Sequence, residues 1–232
     1  MYTSDRAMRH VYFPVDSIIS LQYPMTSGSS TAFSVVGNEG VLGITVCLAG
    51  ESAPSRSLVQ SAGYAYRLPR TKLKEEFGRD GQLFFLMLRY AQSLITQVAQ
   101  TTLCNLHHSI IQQLARWLLL SLDRMSHSHL AMSQEFIGNM LGVRRECVAE
   151  AAMTLQELGA IAYKPGMITV IDRSKLETLS CECYGLVRKE SDRLLHYLPQ
   201  LQDTRTLKSV PASAEPSYGC NSAIRSLDRV GK

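Results

Sequence analysis

The sequence predicts an α+β fold in which an antiparallel sandwich or roll, a long helix and a winged helix-turn-helix follow one another. Three observations carry this. Short β-branched and aromatic runs with turn residues between them extend to Leu68, a helical period begins at Leu83, and from Ser133 a capped helix, a glycine stop, a second helix and a hairpin come in quick succession. The 232 residues suffice for one large domain or two modest ones, each with its own core.

Val11-Tyr12-Phe13, Ser17–Tyr23, Ala32–Val36, Leu42–Leu48 and Ser57–Leu68 read as strands, because Met25–Thr31, Gly37–Gly40 and Ala49–Ser55 between them are dense in Gly, Ser, Pro and Asn. The pattern begins almost at the first residue, so the sandwich or roll reads as incomplete on its N-terminal side. From Leu83 to Thr101 the period turns helical. Phe84, Met87, Ala91, Leu94 and Val98 recur at alternating three- and four-residue steps, the a/d seam of a coiled coil, and Leu83, Leu86, Tyr90 and Ile95 widen the apolar girth. Such a helix needs cover on more than one side. The sandwich or roll supplies one cover, and a second copy of the same helix is expected to supply the other, with Phe84, Met87, Ala91, Leu94 and Val98 as the dimer contact. The alternative is an ordinary buried helix in a monomer.

A further helix is predicted over Ser109–Met125 from Ile110, Leu114, Trp117, Leu118 and Leu122, ending before the polar His127–His129. Ser133 is placed to cap the next helix, Glu135 suits its first turn, and Ile137, Met140 and Leu141 form its apolar face. Gly142 stands where a left-handed residue stops a helix, and the linker that follows is almost nil, so the next helix must cross sharply. In that helix Val148, Ala152, Leu155 and Leu158 face inward, while Arg144, Arg145, Glu146 and Glu150 lie on the outer face of its first turns. A recognition helix reads base edges with its N-terminal residues: arginine pairs with guanine through two bonds, and glutamate accepts from cytosine. Gly159 ends it, and Ile161–Tyr163 with Met167–Ile171 make a hairpin around Lys164-Pro165-Gly166, with Lys164 at the tip within reach of a phosphate. Ser174–Leu195 reads as one amphipathic helix. The tail mixes Pro, Ser, Thr and charge without period and is expected to be disordered. The division is therefore 1–80, 81–108, 109–195 and a tail over 196–232.

A net charge of +4 and a pI near 8.7 are compatible with a nucleic-acid partner without singling one out. No apolar run approaches the roughly 18–20 residues of a membrane span, and Met1–Asp5 lacks the layout of a signal peptide, so the expected location is cytoplasmic. The cysteines, at Cys47, Cys104, Cys147, Cys181, Cys183 and Cys220, are scattered, and the one-residue gap of Cys181 and Cys183 is not that of a zinc knuckle. They are expected to be reduced thiols, His107-His108 reads as a polar pair between helices, and no metal ligand is predicted. The β region holds only His10, with Asp16, Glu39 and Glu51 scattered, which does not supply the ligands of a metal-dependent enzyme. No nucleophile–base pairing is visible either, so no enzyme is expected.

The stretch Ile137-Gly138-Asn139-Met140-Leu141-Gly142-Val143-Arg144-Arg145-Glu146-Cys147-Val148 resembles the helix-turn-helix of the Crp/Fnr family of bacterial regulators, which commonly reads I-G-x-x-L-G-x-x-R-E-x-V there. The stretch His10-Val11-Tyr12-Phe13-Pro14, the segment Gly37–Gly43 and Cys181-Glu182-Cys183-Tyr184 are similar to one branch of that family, and the resemblance spans Arg9 to about Leu195. It implies a β-roll effector domain with a degenerate cyclic-nucleotide motif, a dimerisation helix and a C-terminal winged helix-turn-helix that binds double-stranded DNA as a homodimer, with RNA polymerase as a further partner. Carried over, Arg145 and Glu146 fall on the family's base-contacting pair, and Ser133 and Gln134 lie where members touch phosphate. Glu150 departs from members with a second arginine there. The resemblance also implies further helices and strands before the segment matching Arg9, so the chain reads as short at its N-terminus.

Cyclic-AMP binders of the family carry a glutamate for the ribose where this chain has Val41, within Gly40-Val41-Leu42-Gly43. Arg56-Ser57 resembles their phosphate pair, while Val98-Ala99 stands in place of a polar Thr-Ser. Losing the ribose carboxylate removes a charge-assisted hydrogen bond of about 1.5–3 kcal/mol, which argues against a cyclic nucleotide. With no cysteine before Cys47, the N-terminal iron–sulfur cluster of oxygen sensors has no ligands here, and His10 reads as a surface residue rather than a haem ligand. No cofactor is expected. The competing reading is a ligand-binding or protein-interaction module whose helix-turn-helix is only scaffold.

Overall fold

The structure, a computed structural model, describes residues 8–26, 30–48, 55–79, 81–125, 127–195 and 227–230. Strand β1 (His10–Pro14) pairs antiparallel with β5 (Gly63–Pro69), and β2 (Ile18–Pro24) lies between β3 (Ser30–Val36) and β4 (Arg56–Ser61). These alternating runs bury Val11, Ile19 and Val36 completely, around a core that Val41, Leu42 and Leu73 complete. The predicted single strand Ser57–Leu68 is two strands, because the ladder breaks after Ser61 and resumes in another sheet at Gly63. A Cβ there would lie 2.8 Å from the Ser17 backbone nitrogen.

Leu42–Leu48 is not a strand. Leu42 makes one bridge to Tyr12, Gly43 turns the chain at φ 105°, and Ile44–Val46 form a short 3-10 helix whose Ile44 and Val46 still reach the core. Helix α1 (Arg70–Phe77) has a single buried residue, Leu73, and so offers no apolar period to read.

Helix α2 (Gln82–His107) passes along the roll, and its faces correct the predicted seam. Met87 and Ala91 are buried against the roll of their own chain, Leu94 packs beside them, Phe84 packs with a tilted ring on Phe77 of α1, and Val98 is half-buried. The exposed apolar side chains are Leu86 and Leu103 and, along a separate stripe, Phe85, Leu88, Ile95 and Leu106. With the exposed Gln92, Ala99 and Thr102 that stripe repeats the three- and four-residue steps one position later. A helix this widely apolar carries two such stripes, and the roll takes the first.

Ser109 and Gln112 form a reciprocal capping box that starts α3 (Ile110–Leu122). There follow β6 (His129–Ala131), α4 (Gln134–Leu141), α5 (Arg145–Glu157), β7 (Ile161–Lys164), β8 (Met167–Val170), α6 (Arg173–Leu179) and α7 (Glu182–Leu195). Fully buried Leu114, Leu118, Val148, Leu155, Ile168 and Leu176 knit α3, α5, the hairpin and α6 into one core. Beyond the predicted hairpin, β6 adds a third strand in the order β6-β8-β7. This core continues into the roll through Ala32 and Leu58, and Gln60 Nε2 donates to Ser121 Oγ at 2.8 Å.

The predicted helix Ser174–Leu195 is broken at Ser180-Cys181, and α7 packs back along α2. The expectation of a disordered tail fails for Leu227–Val230, which pair as β9 on the free edge of β5 with Leu227 opposite Tyr66. An unpaired strand edge offers backbone groups to any passing segment. The rest of 196–232 lies outside the described residues.

Candidate nucleic-acid interface

The Ser133 hydroxyl oxygen accepts from the Phe136 N–H at 3.1 Å and so caps α4, while its own O–H remains able to donate. Ile137, Met140 and Leu141 seat the helix in the core. Gly138 is required by the turn that follows. The Val143 N–H donates to the Gly138 carbonyl at 2.9 Å, and a Cβ on Gly138 would stand 2.8 Å from the Val143 carbonyl oxygen. Gly142 takes φ 72°, as its stop position predicts, and Arg144 sits in extended backbone as the N-cap of α5.

Val148, Ala151, Ala152 and Leu155 turn the inner face of α5 into the core, which leaves Arg144, Arg145, Glu146 and Glu150 exposed. The Arg145 and Glu146 side chains are 71% and 63% exposed, joined by an Nε–Oε1 contact of 2.9 Å. That hydrogen bond holds the Glu146 carboxyl below its ordinary range and the Arg145 guanidinium above it. In so exposed a pair the contact orients more than it stabilises. The wing tip is the turn Lys164-Pro165-Gly166, with Gly166 at φ 79° and Lys164 exposed. The Tyr163 N–H donates to Gln156 Oε1 at 2.7 Å, which fixes the wing to α5.

The predicted residues thus occupy three solvent-facing places: the α4 N-terminus (Ser133, with Gln134 half-buried), the first turns of α5, and the wing tip. Helix N-termini and a basic tip suit phosphates, and a cationic side chain on an exposed first turn suits a base edge.

The predicted effector residues sit differently. Arg56 Nη2 donates to Gln22 Oε1 at 3.2 Å, and Ser57 is buried opposite Leu21 in the β2–β4 ladder. Val41, at 2% exposure, is packed inside the roll. An open cleft of about 430 Å³ lies elsewhere, lined by Asn38, Glu39, Asp123, Arg124, Arg188 and Asp192. Sequence reasoning also missed a meeting of Cys104 and His108, at the end of α2, with Cys181 and Cys183 at the α6–α7 break. The four-residue spacing of Cys104 and His108 was the available signal, but their partners appear only once the break is known.

Residues 112–179, from α3 through α6, match the Crp-like helix-turn-helix domain. The fold is similar to that of FixK2 from Bradyrhizobium japonicum, at 19% identity over 78% of this chain and 92% of that one, with a TM-score of 0.65. It is also similar to a CRP-family transcriptional regulator of Thermus thermophilus, at 16% identity over 78% and 92% of the two chains, with a TM-score of 0.64. The c-di-GMP responsive global regulator CLP of Xanthomonas campestris is similar at 10% identity over 73% and 87%, with a TM-score of 0.56. No curated protein matches the chain.

Proposed function

On the premise that residues 112–179 are a Crp-like helix-turn-helix domain, carried on the fold of Crp/Fnr transcription regulators, we propose that the chain is a sequence-specific regulator that binds double-stranded DNA as a homodimer. The observation that carries this reading is the exposed first turn of α5, where Arg144, Arg145 and Glu146 face solvent on a helix whose opposite face is locked into the core. Arg145 and Glu146 read base edges, while Ser133, Gln134 and Lys164 hold phosphates. Glu150 lies one turn further along the same face.

The second copy packs on the outward stripe of α2, where Phe85, Leu88, Ile95 and Leu106 leave apolar surface uncovered in one chain. Two recognition helices related by a two-fold axis then address half-sites roughly one helical turn, ~34 Å, apart. The burial of Val41 supports a regulator that takes no cyclic nucleotide. Among the described residues no helix is long and apolar enough to cross a membrane. A cytoplasmic regulator that meets RNA polymerase at its promoters completes the reading.

Selection of bound duplexes from a random pool tests the proposal. The expected result is a two-fold symmetric site whose affinity falls steeply with salt, as phosphate contacts release counterions. Ile95→Arg is expected to yield monomers in sedimentation and to lose the symmetric site. Absence of duplex binding at low salt, or enrichment of a single unrepeated half-site by a chain that sediments as a monomer, overturns it.

A further inference from the structure

Helix α2 ends where α6 gives way to α7, and four side chains converge there. Cys104 lies in the last turn of α2, His108 is the extended residue that caps it, and Cys181 and Cys183 flank the first residue of α7. One ligand atom from each lies within 4.8 Å of all the others. Cys104 Sγ is 3.5 Å from Cys181 Sγ, and Cys183 Sγ is 3.6 Å from His108 Nδ1. In a tetrahedron built with zinc–sulfur bonds of about 2.3 Å and zinc–nitrogen bonds of about 2.0 Å, ligand atoms stand about 3.5–3.8 Å apart. These two separations match, and the other four pairs lie within 4.8 Å. The three cysteines are 0%, 4% and 2% exposed, so the sulfurs are shielded from water, while His108 is partly exposed.

Two neighbours fit the same purpose. The other ring nitrogen of His108, Nε2, faces Glu182 Oε1 at 3.2 Å. A carboxylate there fixes the tautomer that leaves Nδ1 as the lone-pair donor, the usual outer partner of a metal-bound histidine. The second neighbour is Arg116, whose buried guanidinium acts electrostatically on both Cys104 and Cys183. Its Nη2 donates to Thr101 Oγ1 at 2.9 Å, while Nη1 is buried without a partner among the described residues. A buried cation of this kind calls for an anion nearby. A divalent metal held by three thiolates and one neutral imidazole carries a net charge of −1, which Arg116 offsets.

We propose that Cys104, His108, Cys181 and Cys183 form a closed, four-coordinate site for a thiophilic divalent cation of the zinc class, which ties the end of α2 to the α6–α7 junction. Binding leaves all three sulfurs as thiolates and releases to solvent the protons that the thiols still carry; no electrons are transferred. With four protein ligands and no open position the site is structural rather than catalytic. It sets how the DNA-binding half sits on the long helix. The inference does not depend on DNA binding, since the metal is measured on the protein alone.

The test uses the full chain, reduced and stripped with a chelator, then titrated with zinc or cobalt(II) against a chromophoric competitor. One equivalent per chain is expected, with cobalt giving the visible bands of a tetrahedral thiolate site, and zinc raising the melting temperature. Cys181→Ser and Cys183→Ser should each lose at least a hundred-fold in affinity, Glu182→Gln roughly ten-fold, and Cys47→Ser nothing. The wild-type cobalt spectrum needs no variant and guards against substitutions that unfold the chain. Well under one equivalent in the reduced wild type, octahedral cobalt bands, or unchanged affinity in both cysteine variants overturns the site. So does a Cys104–Cys181 disulfide that persists in protein purified with zinc present.

Discussion

Two junctions between consecutive helices, α4–α5 and α6–α7, interrupt the C-terminal half by opposite means. At the first, the stop lies in the local chain: Gly142 takes φ 72°, Gly138 lets the Val143 carbonyl close over the helix, and the side chains just beyond point into water. At the second, neither glycine nor proline intervenes. Ser180 is extended at φ −79° and ψ 168°, and Cys181 is drawn inward to Cys104, a neighbour 77 residues away in sequence. Tyr184 hydroxyl bonds to Asp123 at 3.2 and 3.3 Å and accepts from Arg173 Nη2 at 2.7 Å, so α3, α6 and α7 meet around it. A stop written into backbone geometry frees its side chains for an outside partner. One imposed by packing uses its side chains to hold the packing.

If that distinction is right, the second junction fails when its packing is cut. Leu176 is fully buried where α6 meets the core, and Leu176→Ala should cost about 2–5 kcal/mol, as other deletions of buried leucine do. Urea denaturation measures it. A loss below about 1 kcal/mol means that α6–α7 is set locally after all.

The first junction should fail when its backbone is disturbed, even by a residue that favours helix. Alanine in place of glycine inside a helix is worth up to about 1 kcal/mol. At Gly138, however, the added methyl meets a backbone carbonyl, which cannot swing aside as a side chain can. Overpacking of about 1–3 kcal/mol should dominate, so Gly138→Ala is expected to lower the urea midpoint and to weaken duplex binding more than stability alone explains. A rise in the midpoint means that the turn has slack and the contrast between the junctions is overstated.

The same contrast explains what the sequence made legible. The Ser133 cap, the Gly142 and Gly159 stops and the wing are signals within a few residues of one another, and the structure keeps each of them. The break at Ser180-Cys181 and strand β6 depend on distant partners, and no local period announces them. The α2 seam is an intermediate case. The three- and four-residue rhythm was readable, but a helix apolar on nearly every side carries that rhythm in two registers, and only the position of the roll shows that Met87 and Ala91 turn inward while Phe85 and Ile95 turn out. Nothing in the pattern before Gly43 foretold that Leu42–Leu48 would curl into a 3-10 helix, because its buried residues mimic strand alternation.

A smaller effect separates local structure from contact within the first junction. Ser133→Ala removes the acceptor for the Phe136 N–H and should cost about 1 kcal/mol. Ser133→Asp keeps an acceptor and so should retain stability, yet it sets a negative charge where a phosphate is proposed to lie. Urea denaturation and a duplex titration on both variants give the comparison. Equal affinity in the aspartate variant and the wild type removes Ser133 from the interface and leaves it a cap alone.

The smallest effect on stability is expected at the residue that matters most for recognition. Arg145 touches little of its own chain besides Glu146, and both side chains are largely exposed, so Arg145→Ala should leave the urea midpoint where it is. Base preference at one position of each half-site should meanwhile relax by roughly ten-fold or more, the discrimination a two-bond arginine–guanine contact supplies. Glu146→Gln separates the two partners. If Glu146 only steers the guanidinium, the arginine's base preference weakens while its identity is kept. If the carboxylate itself accepts from cytosine, preference at the neighbouring position changes instead. A lowered midpoint in Arg145→Ala would place that arginine with the packing side chains of α6–α7, and the division between a junction that faces outward and one that holds the fold would no longer stand.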